Sequence, residues 1–230
     1  MSIFGYSGGG SFRQSFTPAV RNLVIINFLI WIASRFNTET MYTQFALFPL
    51  GSPFFHPWQV VTHMFMHGDF WHIFFNMYTL MMFGMPFERV WGTKKFLVFY
   101  FVTGLSAAAL HLLVLHLQVN GLMAAETTEA TLKAYQILST PTVGASGAIY
   151  GVLLGFAMLY PSAELRLLFL PFFPIKAKWL VLIFAAIELL TGLFASSSSI
   201  AHFAHLGGML FGWLLILYWK KRRKFYDNNI

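Results

Sequence analysis

The segment GASGAIYGVLLGFAMLY, residues 144–160, places a serine at the start of a long apolar run. Three glycines of this run recur at every fourth position, namely Gly147, Gly151 and Gly155. This spacing aligns small residues on one face of a helix and allows transmembrane helices to approach closely. Gly208 and Gly212 repeat the spacing near the C-terminus. The pattern predicts two membrane helices that pack against each other.

The composition of the chain indicates a polytopic membrane protein. Of its 230 residues, 57% are hydrophobic and only 10% are charged, which is unlike a soluble domain. Apolar runs long enough to cross a bilayer predict an all-α membrane protein with six spans, at roughly 20–36, 70–87, 95–117, 144–160, 177–195 and 203–219. The chain contains no cysteine, so disulfides and thiolate nucleophiles are excluded.

The distribution of basic residues predicts the orientation of these spans. Thirteen of the 15 lysines and arginines fall in segments on one side, and only Arg35 and Lys133 fall on the other. Because basic loops stay in the cytoplasm, both termini are expected there, in a cell membrane. We expect a flexible, retained tail at 1–17, a membrane domain at 18–219 and a basic tail at 220–230. The net charge of +7 then needs no nucleic-acid partner.

The outer connections differ in character. Residues 37–69 are too apolar for a solvated loop and too rich in proline for a span, so we expect them to lie in the outer membrane interface. A short helix is predicted at about 128–138. The last outer connection is little more than Ser196–Ser199, a short polar link that allows movement.

Polar residues of three spans are expected to meet at one depth. Spans two, four and six all run from outside to inside, so their first turns lie at the outer face. These turns carry His72 and Asn76, Ser146, and His205, respectively. At a rise of about 1.5 Å per residue, all four lie within about the outer third of the membrane. Facing glycines would bring Ser146 and His205 within hydrogen-bond range.

This set of residues is suited to nucleophilic catalysis. A serine becomes a nucleophile when a neutral imidazole accepts its proton, and the resulting oxyanion needs donors already aimed at it. His72, Asn76 and the Ser146 backbone N–H can supply such donors. No carboxylate is evident at the depth of His205, so a Ser-His dyad is expected rather than a triad. We interpret Glu188, in span five, as a buried group that is paired with a neighbour or held protonated, rather than as a catalytic group.

Other catalytic motifs fit the sequence poorly. The soluble-hydrolase pattern Gly-x-Ser-x-Gly fails because position 148 is alanine. His63, His67 and His72 lack a His-Glu-x-x-His motif, and carboxylates that could complete a set of metal ligands are scarce, so no metal or other cofactor is expected. His202 is a weaker candidate for the base than His205.

Taken together, the motifs resemble those of the rhomboid intramembrane serine proteases, in a compact six-span form typical of bacteria. The resemblance rests on three motifs in the family's order, His67-x4-His72-x3-Asn76, Gly144-Ala145-Ser146-Gly147 with Tyr150, and His205-x2-Gly208-x3-Gly212. It implies that Ser146 is the nucleophile and His205 the base, with His72, Asn76 and the Ser146 amide around the oxyanion. It also implies that Tyr150 packs on the His205 ring, and that glycines 144, 147 and 208 support the site.

The resemblance further implies a water-filled cavity open to the outside and cleavage of single-span membrane proteins near their outer end. Membrane lipid and single-span substrates would then be the partners, with span five and Ser196–Ser199 acting as gates. Glu88 and Gly92 resemble the family's end of span two. One departure is Trp58-Gln59, where many members have Trp-Arg, so the polar anchor of the first outer loop is not evident.

Two alternatives belong to other functional classes. A protease-dead relative would bind and guide transmembrane helices, but such proteins typically lose the serine or the histidine, and this chain has both. A small transporter or channel would use membrane histidines and a buried glutamate as a proton relay. It predicts polar residues near the midplane, whereas here they cluster toward one face.

Overall fold

The computed structural model describes residues 16–167, 170–194 and 199–222. Its helices are α1 (Pro18–Phe36), α2 (Thr38–Phe45), α3 (Gln59–Thr62), α4 (Phe70–Thr79), α5 (Met85–Ala124), α6 (Thr128–Ser139), α7 (Ser146–Leu159), α8 (Ala177–Phe194) and α9 (Ser199–Lys221). A 3₁₀ turn, His63–Phe65, follows α3, and a π-helical segment, Leu80–Gly84, joins α4 to α5. The tails predicted at 1–17 and 220–230 lie outside the described residues except for 16–17 and 220–222, and so does the link predicted at Ser196–Ser199 except for Ser199.

The helices confirm an all-α membrane fold with six spans. The stretch Phe70–Ala124 is continuous and 55 residues long, about 80 Å as one straight helix and more than twice a bilayer's hydrocarbon thickness. Gly92 breaks it with φ 75° and ψ 160°, a left-handed conformation that favours glycine, and so divides it into spans two and three. The helix α7 is shorter, at 14 residues, and lies among α5, α8 and α9.

Of two local elements outside the spans, the sequence predicts one, the helix α6, and misses the other, a β-hairpin. The helix predicted at about 128–138 is confirmed as α6. The connection between spans four and five, for which the sequence predicts no secondary structure, forms an antiparallel hairpin of β1 (Glu164–Leu167) and β2 (Leu170–Lys176). Glu164 pairs with Lys176 in its ladder, and the Phe172 and Phe173 side chains are exposed.

Glycines set the contact between α7 and α9. A Cβ atom added to Gly208 would lie 1.9 Å from the Gly147 carbonyl oxygen, so the two backbones touch at this point. One added to Gly212 would lie 3.5 Å from the Gly151 Cα, an ordinary van der Waals distance, so the helices remain in contact one turn further along. The prediction that these helices pack together is confirmed.

The predicted stripe of α7 nevertheless does not face α9 along its whole length. Added Cβ atoms at Gly147 and Gly151 would collide with Ala107 and Thr103 of α5, and one at Gly155 would collide with the Phe87 ring. The small residues therefore serve a three-helix junction rather than one pair. A stripe marks a close approach without naming the neighbour, which is why the sequence assigned it to α9 alone.

Glu88 fastens the start of the first span to the end of the second. Its two carboxylate oxygens accept hydrogen bonds from the Ala19 and Val20 backbone N–H groups, at 2.9 and 3.0 Å. Thr93 Oγ1 donates a third, at 2.7 Å. A carboxylate at a helix N-terminus satisfies unpaired donors and complements the helix dipole, so this buried charge is stabilised where it lies.

The first outer loop is anchored by Gln59. Its side chain is fully buried, and its amide nitrogen donates to the Thr43 and Phe54 carbonyl oxygens at 3.0 and 2.9 Å. Its amide oxygen accepts from the Phe48 and His56 N–H groups at 3.3 and 3.1 Å. One neutral side chain thus forms hydrogen bonds to the backbone of four residues in this region. Gln59 is therefore the polar anchor that was not evident from the sequence.

The rest of the loop has the character of an interfacial segment. Phe54, Trp58 and Val61 remain exposed, while Met64 contacts Gly104 of α5. A backbone bridge between Leu47 and Thr142 joins the loop to the segment that enters α7. The loop is therefore held against the outer ends of the helices that carry the candidate site.

Replacing Gln59 with leucine should lower the free energy of unfolding by about 3 kcal/mol, because buried backbone donors and acceptors of the loop lose their partners. Gln44→Leu is the matched control, since the Gln44 side chain is exposed, and it should change stability by no more than about 0.5 kcal/mol. Denaturant or thermal unfolding in detergent measures both. Equal stabilities for the two variants would contradict the anchoring role of Gln59.

Candidate active site

Ser146 and His205 lie together at the outer end of the bundle. The His205 Nε2 atom is 2.8 Å from Ser146 Oγ, a hydrogen bond between residues 59 positions apart in the chain. Ser146 is the first residue of α7, and His205 lies one turn before Gly208 on α9. The close contact of Gly208 with Gly147 is therefore what brings the two side chains within reach.

The His205 ring is held by stacking on Tyr150. The two rings are nearly parallel, at 6°, with centroids 4.2 Å apart. Tyr150 lies one helical turn after Ser146, so α7 supplies both the hydroxyl that faces the imidazole edge and the ring that supports its face. The Tyr150 hydroxyl donates to Glu188 Oε1 at 2.5 Å.

A carboxylate accompanies this histidine, which corrects the expectation that none lies at its depth. Glu188 Oε1 is 3.0 Å from His205 Nδ1, a close contact without the alignment of a hydrogen bond. Glu188 Oε2 is 2.5 Å from His202 Nδ1. His202 therefore contacts the carboxylate rather than the serine, which agrees with its ranking as the weaker candidate base.

The position of Glu188 beside His205 could have been predicted by counting residues from the link between spans five and six. Glu188 lies six residues before the end of α8, and His205 lies six residues after the start of α9. Because the two helices are antiparallel and joined by a short link, equal distances from the link place residues at equal depth. The expectation that Glu188 pairs with a neighbour is confirmed, and the neighbours are the site's own residues.

Two donors lie beside Gly144, just before the serine. Gly144 has φ 126°, and a Cβ added to it would lie 2.8 Å from His72 Nε2 and 3.7 Å from Asn76 Nδ2, so glycine is required here twice over. The Asn76 amide nitrogen is buried and has no hydrogen-bond partner among the described residues. His72 Nδ1 accepts from the Gly68 N–H at 3.4 Å, which leaves the proton on Nε2, facing the site.

Two buried histidines of the first outer loop, His63 and His67, are uncharged at neutral pH. His67 is completely buried, and its ring lies edge-on to His72 with centroids 5.0 Å apart. Burial, with a smaller contribution from neighbouring His72, lowers the pKa of His67 to about 3. Burial also lowers the pKa of His63 to about 4. His63 accepts the Gly144 N–H on its carbonyl oxygen, so it positions the turn before Ser146.

A small cavity opens against Ser146 and His205. It has room for about two water molecules and is lined also by His63, Gly104 and Thr142. The Thr142 hydroxyl lies 2.7 Å from His111 Nε2. Two further histidines contact their own neighbours, since His56 stacks on Trp58 and His116 lies 3.0 Å from the Asn120 amide nitrogen.

One group of side chains has metal-ligand chemistry. Within the described ranges, only Glu188, His202 and His205 bring three possible ligand atoms within 4.8 Å of one another. These atoms are already paired with each other, and the other His205 nitrogen is bonded to Ser146. The sequence-based prediction of no metal remains a prediction.

The arrangement contains the parts of an acyl-transfer site. It has a hydroxyl bonded to an imidazole, a carboxylate behind the imidazole and, beside Gly144, the Asn76 amide nitrogen, which has no partner among the described residues. A Rhomboid domain model matches residues 55–222 of this chain, which is more than two thirds of its length. The chain belongs to the rhomboid family.

Named rhomboid relatives show moderate similarity. Rhomboid-like protein 19 of Arabidopsis thaliana is 26% identical, over 94% of this chain and 66% of its own length. RHOMBOID-like protein 12, mitochondrial, of the same plant is 32% identical, over 82% of this chain and 54% of its own length. Rhomboid-like protease 3 of Toxoplasma gondii is 28% identical, over 73% and 53%. The chain thus spans less than two thirds of the length of these rhomboid relatives.

Alanine at Gly208 should separate α7 from α9 in this rhomboid, because its methyl group would overlap the Gly147 carbonyl. We expect the variant to lose about 2–3 kcal/mol of stability, as overpacked sites do. Gly121→Ala is the matched control, since a Cβ at Gly121 would meet nothing within 4 Å. Unfolding in detergent measures both, and a Gly208→Ala variant as stable as Gly121→Ala would contradict the contact.

Proposed function

We propose that this chain is an intramembrane serine endopeptidase that cleaves transmembrane segments near the extracytoplasmic face. The observation that carries the proposal is the 2.8 Å contact between His205 Nε2 and Ser146 Oγ at the entrance of α7. A serine and an imidazole in an apolar bundle are costly to place without a task. The name of the Toxoplasma gondii relative, a protease, agrees with it.

The proposed reaction begins with attack by Ser146. Oγ bonds to the carbonyl carbon of the scissile peptide while its proton passes to His205 Nε2. The negative charge develops on the carbonyl oxygen. His72 Nε2–H, the Asn76 amide and the Ser146 backbone N–H are the proposed donors for that oxyanion, since the first two lie beside Gly144 and the third belongs to the first residue of α7.

The intermediate then collapses to an acyl-enzyme. The C–N bond breaks, and the leaving amine takes the proton that His205 holds. Water next attacks the ester carbon while His205 Nε2 accepts its proton; the C–Oγ bond then breaks, Ser146 Oγ takes that proton, and the new carboxyl terminus leaves. The cavity beside these two residues is large enough to hold that water. No cofactor enters any step.

The proposed substrates are single-span membrane proteins that enter from lipid. A peptide bond inside a stable helix is shielded by its own hydrogen bonds, so the helix must unwind before attack. Substrates with small or helix-weakening residues near the outer surface are therefore favoured. We propose that the substrate enters past α8, because most residues of α8 are exposed and few of them pack against the rest of the bundle.

The proposed setting is a cell membrane, with both termini in the cytoplasm. The bias of basic residues toward one side supports this orientation. Because the chain contains no cysteine, single-cysteine variants report topology cleanly. In intact cells an impermeant maleimide should label Gln136→Cys on α6 and spare Ser162→Cys in the opposite connection. The reverse labelling would overturn the orientation.

The catalytic proposal is tested by cleavage of a model single-span substrate in detergent. Ser146→Ala and His205→Ala should each reduce kcat/KM by at least about 10³-fold, because either change removes the nucleophile–base pair. Ser139→Ala and His116→Ala are matched controls, since both side chains are exposed and remote from the site. Activity that survives Ser146→Ala, or a wild type that cleaves no substrate, favours a helix-binding or transport function instead.

A further inference from the structure

Glu188 occupies a costly position for a carboxylate. Among residues 185–194, all of which the structure describes, it is the one buried side chain of α8, and its exposed neighbours are apolar residues such as Ile187, Leu189 and Leu190. A leucine there would complete the apolar surface at lower cost, because an ionisable group within a membrane must find partners or be neutralised. Fold stability therefore gives no reason for a carboxylate at this point.

The partners of Glu188 all belong to the catalytic helices. Oε1 receives the Tyr150 hydroxyl of α7 and lies 3.0 Å from His205 Nδ1, while Oε2 contacts His202 Nδ1 of α9. Tyr150 in turn stacks on the His205 ring. One carboxylate thus contacts the edge of the imidazole and also fixes the aromatic ring that supports its face.

The tautomer of His205 follows from these contacts. For Nε2 to accept the Ser146 proton, the ring proton must lie on Nδ1, which faces Glu188 Oε1. A carboxylate at this position favours that tautomer and stabilises the imidazolium that forms once the serine proton has moved. The same geometry is how a third residue assists a serine–histidine pair on unrelated folds.

We propose that Glu188 is a positioning residue that orients His205 and stabilises its protonated form, so that the site works as a Ser-His-Glu triad rather than a dyad. The inference rests on the proposed protease function. It assigns the carboxylate no contact with substrate. Its effect passes through His205 and through the Tyr150 ring.

The role also depends on α8. Because Glu188 belongs to the span proposed as a gate, His205 is aligned only while the outer half of α8 lies against α9. The groups that face His205 from the surrounding elements are Tyr150 of α7, Glu188 of α8, His202 of α9 and, across the site, His72 of α4. Of these, Glu188 is the one acidic group, so its charge is the one that favours imidazolium.

The test compares Glu188→Gln with wild type in the cleavage assay, over a range of pH. We expect kcat to fall on the order of 10²-fold with little change in KM, since the isosteric amide keeps the shape but not the charge. The acid limb of the pH–rate profile should move to lower pH by about one unit, because imidazolium is no longer stabilised. Glu129→Gln, an exposed glutamate on α6, is the matched control and should behave as wild type.

A conservative variant separates orientation from charge. Glu188→Asp keeps the negative charge but withdraws it by one methylene group, so kcat should fall while the acid limb stays near its wild-type pH. This variant decides the question alone should Glu188→Gln fail to fold. Wild-type kcat in either folded variant, or an unmoved acid limb in Glu188→Gln, overturns the role of Glu188.

The same experiment distinguishes failure of this inference from failure of the protease function. Cleavage by wild type and its loss in Ser146→Ala establish the function, whatever Glu188 does. If the wild type does not cleave, or if Ser146→Ala still cleaves, the protease function fails and the role of Glu188 fails with it.

Discussion

The contact of two glycines across α7 and α9 is the constraint on which the site depends. A serine side chain is short, so an imidazole on another helix can reach it only where the two backbones nearly touch. Gly208 meets the Gly147 carbonyl at that place, and the hydroxyl and the imidazole lie just above it. Hydrophobic attraction between helices is absent in lipid, so close packing of small residues supplies the association instead.

The outer end of this junction is closed by polar contacts rather than by apolar packing. Gln59 holds the first outer loop at four backbone points, and His63 joins that loop to the turn at Gly144. The loop in turn places buried, uncharged His67 against His72. A neutral histidine lowers the electrostatic cost of grouping several imidazoles, so His72 can remain a donor beside the serine.

Much of this molecule could be predicted from the sequence because membrane spans and glycine spacing are local signals. The six spans, the outer helix α6 and the meeting of Ser146 with His205 all follow from run lengths, charge bias and depth. The hairpin of β1 and β2 escaped because its prolines and aromatic residues give no clean alternation. The helices that pack on the glycine stripe of α7 were also not fully predicted, since the spacing of glycines does not show which neighbouring helix contacts them.

Glu188 and Gln59 show why side-chain partners are harder to predict than helices. Each is a single polar residue in an apolar or irregular segment. Its role depends on hydrogen-bonding atoms that other segments of the chain contribute. Glu188 contacts residues 14 to 38 positions away, and Gln59 joins carbonyl and amide groups 3 to 16 positions before it. Counting residues from the link between α8 and α9 would have placed Glu188 at the depth of His205. No local sequence pattern predicts this contact.

Covalent labelling tests most directly the central claim that His205 activates Ser146. A fluorophosphonate probe should add one group to the wild-type protein in detergent, and mass spectrometry should locate it on Ser146. Ser146→Ala should remain unlabelled, and His205→Gln should react far more slowly while Ser139→Ala reacts as wild type. Label on another serine, or equal rates with and without His205, would contradict the account.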